Sequence, residues 1–187
     1  MKIKELTTPL DKKTTELLKA GDLVHLSGTI LTARDAAHKR LLSLLEEGKP
    51  LPVNLEEAVI YYAGPTPPRP GCIIGSAGPT TSSRMDRYTP ALLEKTGFSA
   101  MIGKGNRSPE VTEAIKNHNS IYFTATGGAG ALISTCIQSS EIICYEDLGP
   151  EAIYKLKVKN FPLIVAIDTL GNNLYTDGPE EYRQVYQ

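Results

Sequence analysis

Gly75-Ser76-Ala77-Gly78-Pro79-Thr80-Thr81-Ser82-Ser83-Arg84-Met85-Asp86 is the stretch around which the rest of the chain is read. It follows a short apolar run, Cys72-Ile73-Ile74, which reads as a buried strand. Gly75 and Gly78 let the backbone turn sharply where that strand ends, and Pro79 stiffens the exit. Two Thr and two Ser hydroxyls are then held in an arc that Arg84 closes. Ligands bind at strand ends in α/β sheets, and a loop of free N–H groups, hydroxyls and one guanidinium suits an anionic oxygen substrate. The same residues fit a plain helix start, with Ser83 and Asp86 as a capping box. Composition alone leaves both readings open.

Outward from that loop, 187 residues are enough for one domain with a sizeable core. Twenty basic residues against 21 acidic ones leave no global field, which argues against nucleic acid or a polybasic membrane contact as partner. No apolar run reaches the length of a bilayer span, and Met1-Lys2-Ile3-Lys4-Glu5 has no hydrophobic signal core, so the expectation is a cytoplasmic protein. Cys72, Cys136 and Cys144 are odd in number and lack C-x-x-C spacing, which suggests neither a disulfide framework nor a self-contained metal site, and Cys72 and Cys144, inside apolar runs, read as small core hydrophobes.

Along the chain, residues 3–20 read as a lead-in with a helical turn over 14–20. Asp22 to Ile30 alternates apolar and polar positions as a half-buried strand does. A helix opens at Thr32-Ala33-Arg34-Asp35 and stops at Gly48-Lys49-Pro50, which places Arg34 and His38 on one face of its first turns, where two cationic or proton-carrying groups can grip a carboxylate. The bland alternative is a solvated helix start with Arg34 paired to an acid. After a strand within 57–63, the proline-rich stretch 64–71 reads as a stiff connector and a candidate internal boundary. Two strand–loop–helix units follow. In the first, Thr89-Pro90 opens a helix that ends at Gly97, Ser99 to Gly103 is a strand, Lys104 sits in the loop, and Ser108-Pro109 caps the next helix. In the second, Ile121 to Thr126 is a strand, and Gly127-Gly128-Ala129-Gly130 leads into a helix through Ile133 and Ile137. The Walker A and dinucleotide glycine patterns both fail at these loops. A strand at 141–145, a helix at 150–157 and a strand at 162–168 complete a series that predicts an α/β layer with parallel pairing, and 175–187 reads as a polar tail.

Three motifs stand together: Thr29-Ile30-Leu31-Thr32-Ala33-Arg34-Asp35-Ala36-Ala37-His38, then Gly78 to Asp86, then Met101-Ile102-Gly103-Lys104-Gly105. Together with Tyr122 to Ala131 they closely resemble the C-terminal domain, or separate β subunit, of class I fumarases and L-tartrate dehydratases, over most of residues 10–175. The resemblance implies a single swivelling β/β/α domain across 1–187, with a lead-in at about 1–20 and a tail at about 176–187. It implies a hydro-lyase that adds or removes water on a small dicarboxylate, fumarate to malate first and tartrate to oxaloacetate next. It places a [4Fe–4S] cluster on a partner α-type subunit and not on this chain. By the same resemblance Arg34, Arg84 and Lys104 match substrate-carboxylate positions, Thr80 the proposed catalytic base, and His38 a further active-site histidine. A threonine hydroxyl is a poor base unless nearby cations stabilise its alkoxide or a partner carboxylate takes its proton. Two readings from other classes stand beside this one: a self-contained anion or phosphate-ester binder, and an interaction subunit without catalytic residues.

Overall fold

A computed structural model describes residues 2–185 of the chain. In chain order its elements are β1 (Lys4–Thr7), α1 (Lys12–Glu16), β2 (Leu23–Thr32), α2 (Asp35–Glu46), β3 (Val59–Tyr61), a 3-10 turn (Ser82–Met85), α3 (Thr89–Thr96), β4 (Ala100–Gly103), α4 (Pro109–His118), β5 (Ile121–Thr124), α5 (Gly130–Ser134), β6 (Ile137–Cys144), a 3-10 segment (Glu146–Glu151), β7 (Ile153–Ile167) and α6 (Leu174–Val185). Seven strands form one sheet in the order β1-β2-β3-β4-β5-β7-β6. The first five pair in parallel, whereas β7 runs antiparallel to β5, β6 and β2. Because β7 bonds to β5 at one end and to β2 along most of its length, the strands β2-β3-β4-β5-β7 close on themselves as a barrel.

The central strands are apolar on both faces because each face meets a different core. Val59, Tyr61, Ala100, Ile102, Ile121 and Phe123 join the cluster enclosed by the sheet, while Ile60, Tyr62, Met101 and Tyr122 join a second cluster under α2, α3 and α4. Strands buried on both faces read as continuous apolar runs. The helices follow local rules. Ser108 caps α4 by accepting from the Val111 N–H, with Pro109 in its first turn, and α3 ends at left-handed Gly97.

Several expectations are corrected. The lead-in contains β1, paired with β2 from Lys4↔Val24 to Thr7↔Ser27; Met1 lies outside the described residues. The connector 64–71 is no boundary, since β3 and β4 on either side of it are neighbours in the sheet. Cys72 and Ile73 are exposed in a loop instead of lying in a strand, because Thr66 closes that loop on itself, its N–H donating to Ser76 O and its carbonyl accepting from Gly75 N–H. Cys72 is therefore no core hydrophobe. The capping box is not formed, as Asp86 is turned to Arg107. The helix after Gly130 stops at Ser134, and Ile137 already belongs to β6. The expected helix at 150–157 is not formed: residues 150 and 151 end the 3-10 segment and 153–157 begin β7, with Lys155 and Lys157 outward and Leu156 and Val158 inward. Pro162 is tolerated in that strand because it falls between the β6 pairing, which ends at Val158, and the β5 pairing, which begins at Ile164. The polar tail is α6 as far as Val185, with 186 and 187 outside the described residues. Among the described residues no helix is long and apolar enough to cross a membrane.

Candidate functional site

The four parallel strands β2 to β5 direct their carboxyl ends the same way, and every candidate residue stands at or just beyond those ends. Arg34 lies two residues past β2, Tyr62-Ala63-Gly64 continues β3, Lys104 follows β4, and Gly127 lies past β5. Thr80-Thr81-Ser82 enters between the ends of β3 and β4. Its Thr80 N–H donates to Tyr62 O at 2.7 Å, Lys104 N–H donates to Thr80 O at 3.3 Å, and Ser82 N–H donates to Lys104 O at 2.9 Å. A bridge between Thr81 and Lys104 fixes the register. Gly103 is required beneath this wedge, since a Cβ there would overlap Ser82 Oγ.

Thr80 is half-buried, and its hydroxyl donates to Tyr62 O at 2.5 Å, so its proton is engaged and its lone pairs are free. Lys104 is half-buried along the Gly127 backbone, where an added Cβ would stand 3.4 Å from its Cδ and 3.7 Å from its Nζ. Among the described residues Lys104 has no acidic partner. Arg84 is half-exposed and held by Asp35, with Nε 3.0 Å from Oδ1 and Nη2 3.0 Å from Oδ2, the second contact off the hydrogen-bond direction. Arg34 Nη2 lies 3.3 Å from Glu151 Oε1, while Glu151 Oε2 accepts the Ala36 N–H at 2.8 Å and so caps the start of α2. Gly64 makes room for Arg34, whose Nη1 would be 2.6 Å from a Cβ at that position.

His38 is fully buried against the rings of Tyr62 and Tyr88, at centroid distances of 5.4 and 6.2 Å. Burial, aided by the charge of Arg107, holds its pKa down to about 4 against the contact with Arg34 O. The imidazole is therefore neutral at pH 7, so of the two roles open at this spacing, cationic or proton-carrying, His38 has the second. Its Nδ1 lies 2.9 Å from Arg34 O, and a carbonyl only accepts, so Nδ1 carries the proton and Nε2 keeps its lone pair. Arg34 Nε, His38 Nε2 and Tyr62 OH are buried without a hydrogen-bond partner among the described residues. Each such group costs about 1–3 kcal/mol, a cost that folding alone does not explain.

Sequence reasoning missed several residues that brace the loops of the site. Arg107 has a fully buried side chain that donates from Nε to Asp86 Oδ1 at 2.7 Å and from Nη2 to Thr89 Oγ1 at 2.9 Å, and it lies 5.3 and 5.1 Å from the ring centres of Tyr62 and Tyr122. Asp86 also accepts the Ser108 N–H at 2.7 Å, which ties the Arg84 turn to the start of α4. Tyr175, assigned to the tail, accepts the Gly105 N–H at 3.1 Å beside Lys104. Asp35 stood next to Arg34 in the sequence, and its partner could be found only in the fold.

The cysteines do not fit a cluster held by this chain. Cys72 is in an exposed loop, and Cys136 and Cys144 bracket β6, roughly 25 Å apart along an extended strand. Among the described residues no group of three or more His, Cys, Asp or Glu is placed to hold a metal ion.

Comparison with known proteins adds a family. The family model described as Fumarase C-terminus matches residues 2–178. The putative L(+)-tartrate dehydratase subunit beta of Methanocaldococcus jannaschii is 38% identical over 183 residues, which cover 95% of this chain and 92% of that protein. The L(+)-tartrate dehydratase subunit beta of Escherichia coli is 34% identical over 97% of this chain and 90% of its own length. Fumarate hydratase 2 of Leishmania major is 37% identical over 92% of this chain, yet the match spans only 31% of that longer protein. The family match across nearly the whole chain, and the same span in two free-standing subunits, mean that this chain belongs to the Fumarase C-terminus family.

Proposed function

We propose that the chain is the β-type part of a hydro-lyase that hydrates and dehydrates a small dicarboxylate, fumarate and malate first, tartrate and oxaloacetate next. In this reading it adopts the swivelling β/β/α fold, works in the cytoplasm, and meets an α-type subunit that carries a [4Fe–4S] cluster. The observation that carries the reading is the set of cations at the carboxyl ends of β2 to β4. Arg34, Arg84 and Lys104 face two acids, Glu151 and Asp35, so one positive charge is left over, on Lys104.

The chain's own residues bind and orient. Lys104 and the free edges of the two guanidinium groups take substrate carboxylate oxygens. Removing a proton from the carbon beside a carboxylate builds negative charge on that carboxylate, so a cation already in place is felt more strongly in the transition state. Thr80 serves as base only if its Oγ swings off Tyr62 O, because an alkoxide 2.5 Å from that carbonyl would be repelled. Arg84 is half-exposed and Thr80 half-buried, so the site opens to solvent and needs a second surface to exclude water. Co-expression with a cysteine-bearing α-type subunit, followed by anaerobic assays on fumarate, malate and L-tartrate, tests the proposal. Turnover that requires both chains is expected; none on any of the three, or turnover by the α-type chain alone, contradicts it.

A further inference from the structure

Each arginine of the candidate site already has an acid beside it, and the two acids are placed differently. Glu151 divides its carboxylate between Arg34 and the N-terminal N–H of Ala36, so it serves the start of α2 as well as the cation. Asp35, the first residue of α2, is thereby relieved of capping, and among the described residues no backbone N–H donates to it. Its Oδ1 accepts from Arg84 Nε, and its Oδ2 lies beside Nη2, on one edge of the guanidinium. The other edge, Nη1 and the outer N–H of Nη2, has no partner among the described residues, and a guanidinium can take a carboxylate on such an edge.

From this geometry we propose that Asp35 is a positioning residue for the substrate carboxylate: it fixes the plane and reach of Arg84 so that the open edge meets the substrate. The inference rests on the dicarboxylate reading above and names a residue which that reading does not need. Two features of the fold support it. The turn that carries Arg84 is already tied down two residues on, because Asp86 accepts from both Arg107 and Ser108. Among the described residues Asp35 is the hydrogen-bonded and charged contact of the Arg84 side chain itself. Asp35 also follows Arg34 directly, so a single helix start sets the spacing of both arginines. An acid there acts either by orienting Arg84 or by competing with the substrate for it, and the two roles give opposite signs.

The experiment uses the reconstituted two-subunit complex, with KM and kcat for the preferred dicarboxylate measured for wild type, Asp35→Ala, Asp35→Asn and Arg84→Lys. Asp35→Asn keeps an oxygen for Arg84 Nε and loses the charge, whereas Asp35→Ala loses both. If Asp35 orients Arg84, Asp35→Ala raises KM about tenfold with a much smaller change in kcat, and Asp35→Asn restores most of the loss. A KM that falls in both variants shows competition and overturns the proposal. Equal KM values for Asp35→Ala and Asp35→Asn, or Asp35→Ala indistinguishable from wild type, overturn it too. Arg84→Lys separates this inference from its premise. If that variant matches wild type, the carboxylate site itself fails; if it raises KM while Asp35→Ala does not, only the role of Asp35 fails. Thermal unfolding of the isolated Asp35→Ala and Asp35→Asn chains within a few degrees of each other confirms that the comparison is between folded proteins.

Discussion

His38 sits without solvent exposure between Tyr62 and Tyr88, and its pKa is held to about 4 because burial penalises the imidazolium. The unfolded chain takes up this proton near pH 6.5 and the folded chain only near pH 4. The neutral histidine therefore contributes stability in full above about pH 6.5, and that contribution is lost as pH falls through the window to about 4. The loss is on the order of 3 kcal/mol. Urea unfolding from pH 7 to 4 should show it, and His38→Gln should flatten the decline; an unchanged slope would show that His38 titrates normally. The histidine was legible as a residue of the helix start. Its burial was not, because the rings that cover it come from the end of β3 and the start of α3. Lys104 was legible as a cation after the strand-ending Gly103 and Arg84 as the cation closing the loop 75–86, although what leads into that loop is coil and not a strand, while Asp35 and Glu151 became partners only through the fold.

At the scale of elements, what was legible divides by how many faces a strand buries. β3, β4 and β5 are covered on both sides, so their apolar runs marked them, and the Ser108 cap and the Gly97 stop were local signals. β7 alternates lysines with apolar residues between Pro150 and Pro162, and short stretches of that kind also satisfy a helix start; only its pairing with β2 and β6 decides the matter. Two joints between elements carry predictions. Gly28 has φ of 109° beside a register shift in β2, and a Cβ there would overlap Thr8 Oγ1 and stand 3.1 Å from Thr8 N. Gly28→Ala should cost about 1–3 kcal/mol in urea unfolding, whereas Gly178→Ala, inside α6 with nothing within 4 Å, should be neutral or stabilising. Equal effects would refute the strained bulge. Arg107→Met strips a buried cation from Asp86 and should cost about 3–5 kcal/mol. Because the Arg107 charge is one cause of the low His38 pKa, the folded pKa should rise in this variant, so the part of the acid decline due to His38 should be smaller and end at a higher pH, its onset near 6.5 unchanged.

For the molecule as a whole, a nearly neutral chain, with net charge −1, gathers three cations at one end of its parallel strands and leaves that end open. Among the described residues the cysteines join no group of three or more ligands placed to hold a metal ion, so the isolated chain should purify colourless and turn over neither malate nor tartrate. Stoichiometric iron with broad visible absorption in the isolated chain would contradict that. The central claim is that this chain supplies the carboxylate-binding cations of a site completed by a partner, and Lys104, the cation without an acid, tests it most directly. In the cluster-loaded complex Lys104→Met should raise KM and lower kcat, since one charge-assisted hydrogen bond of about 1.5–3 kcal/mol is worth roughly ten- to a hundredfold. The exposed strand residue Lys157, changed to Met, serves as the control. A Lys104→Met complex whose KM and kcat both stay within about twofold of that control, a difference of roughly 0.4 kcal/mol, would show that the substrate carboxylate does not bind here.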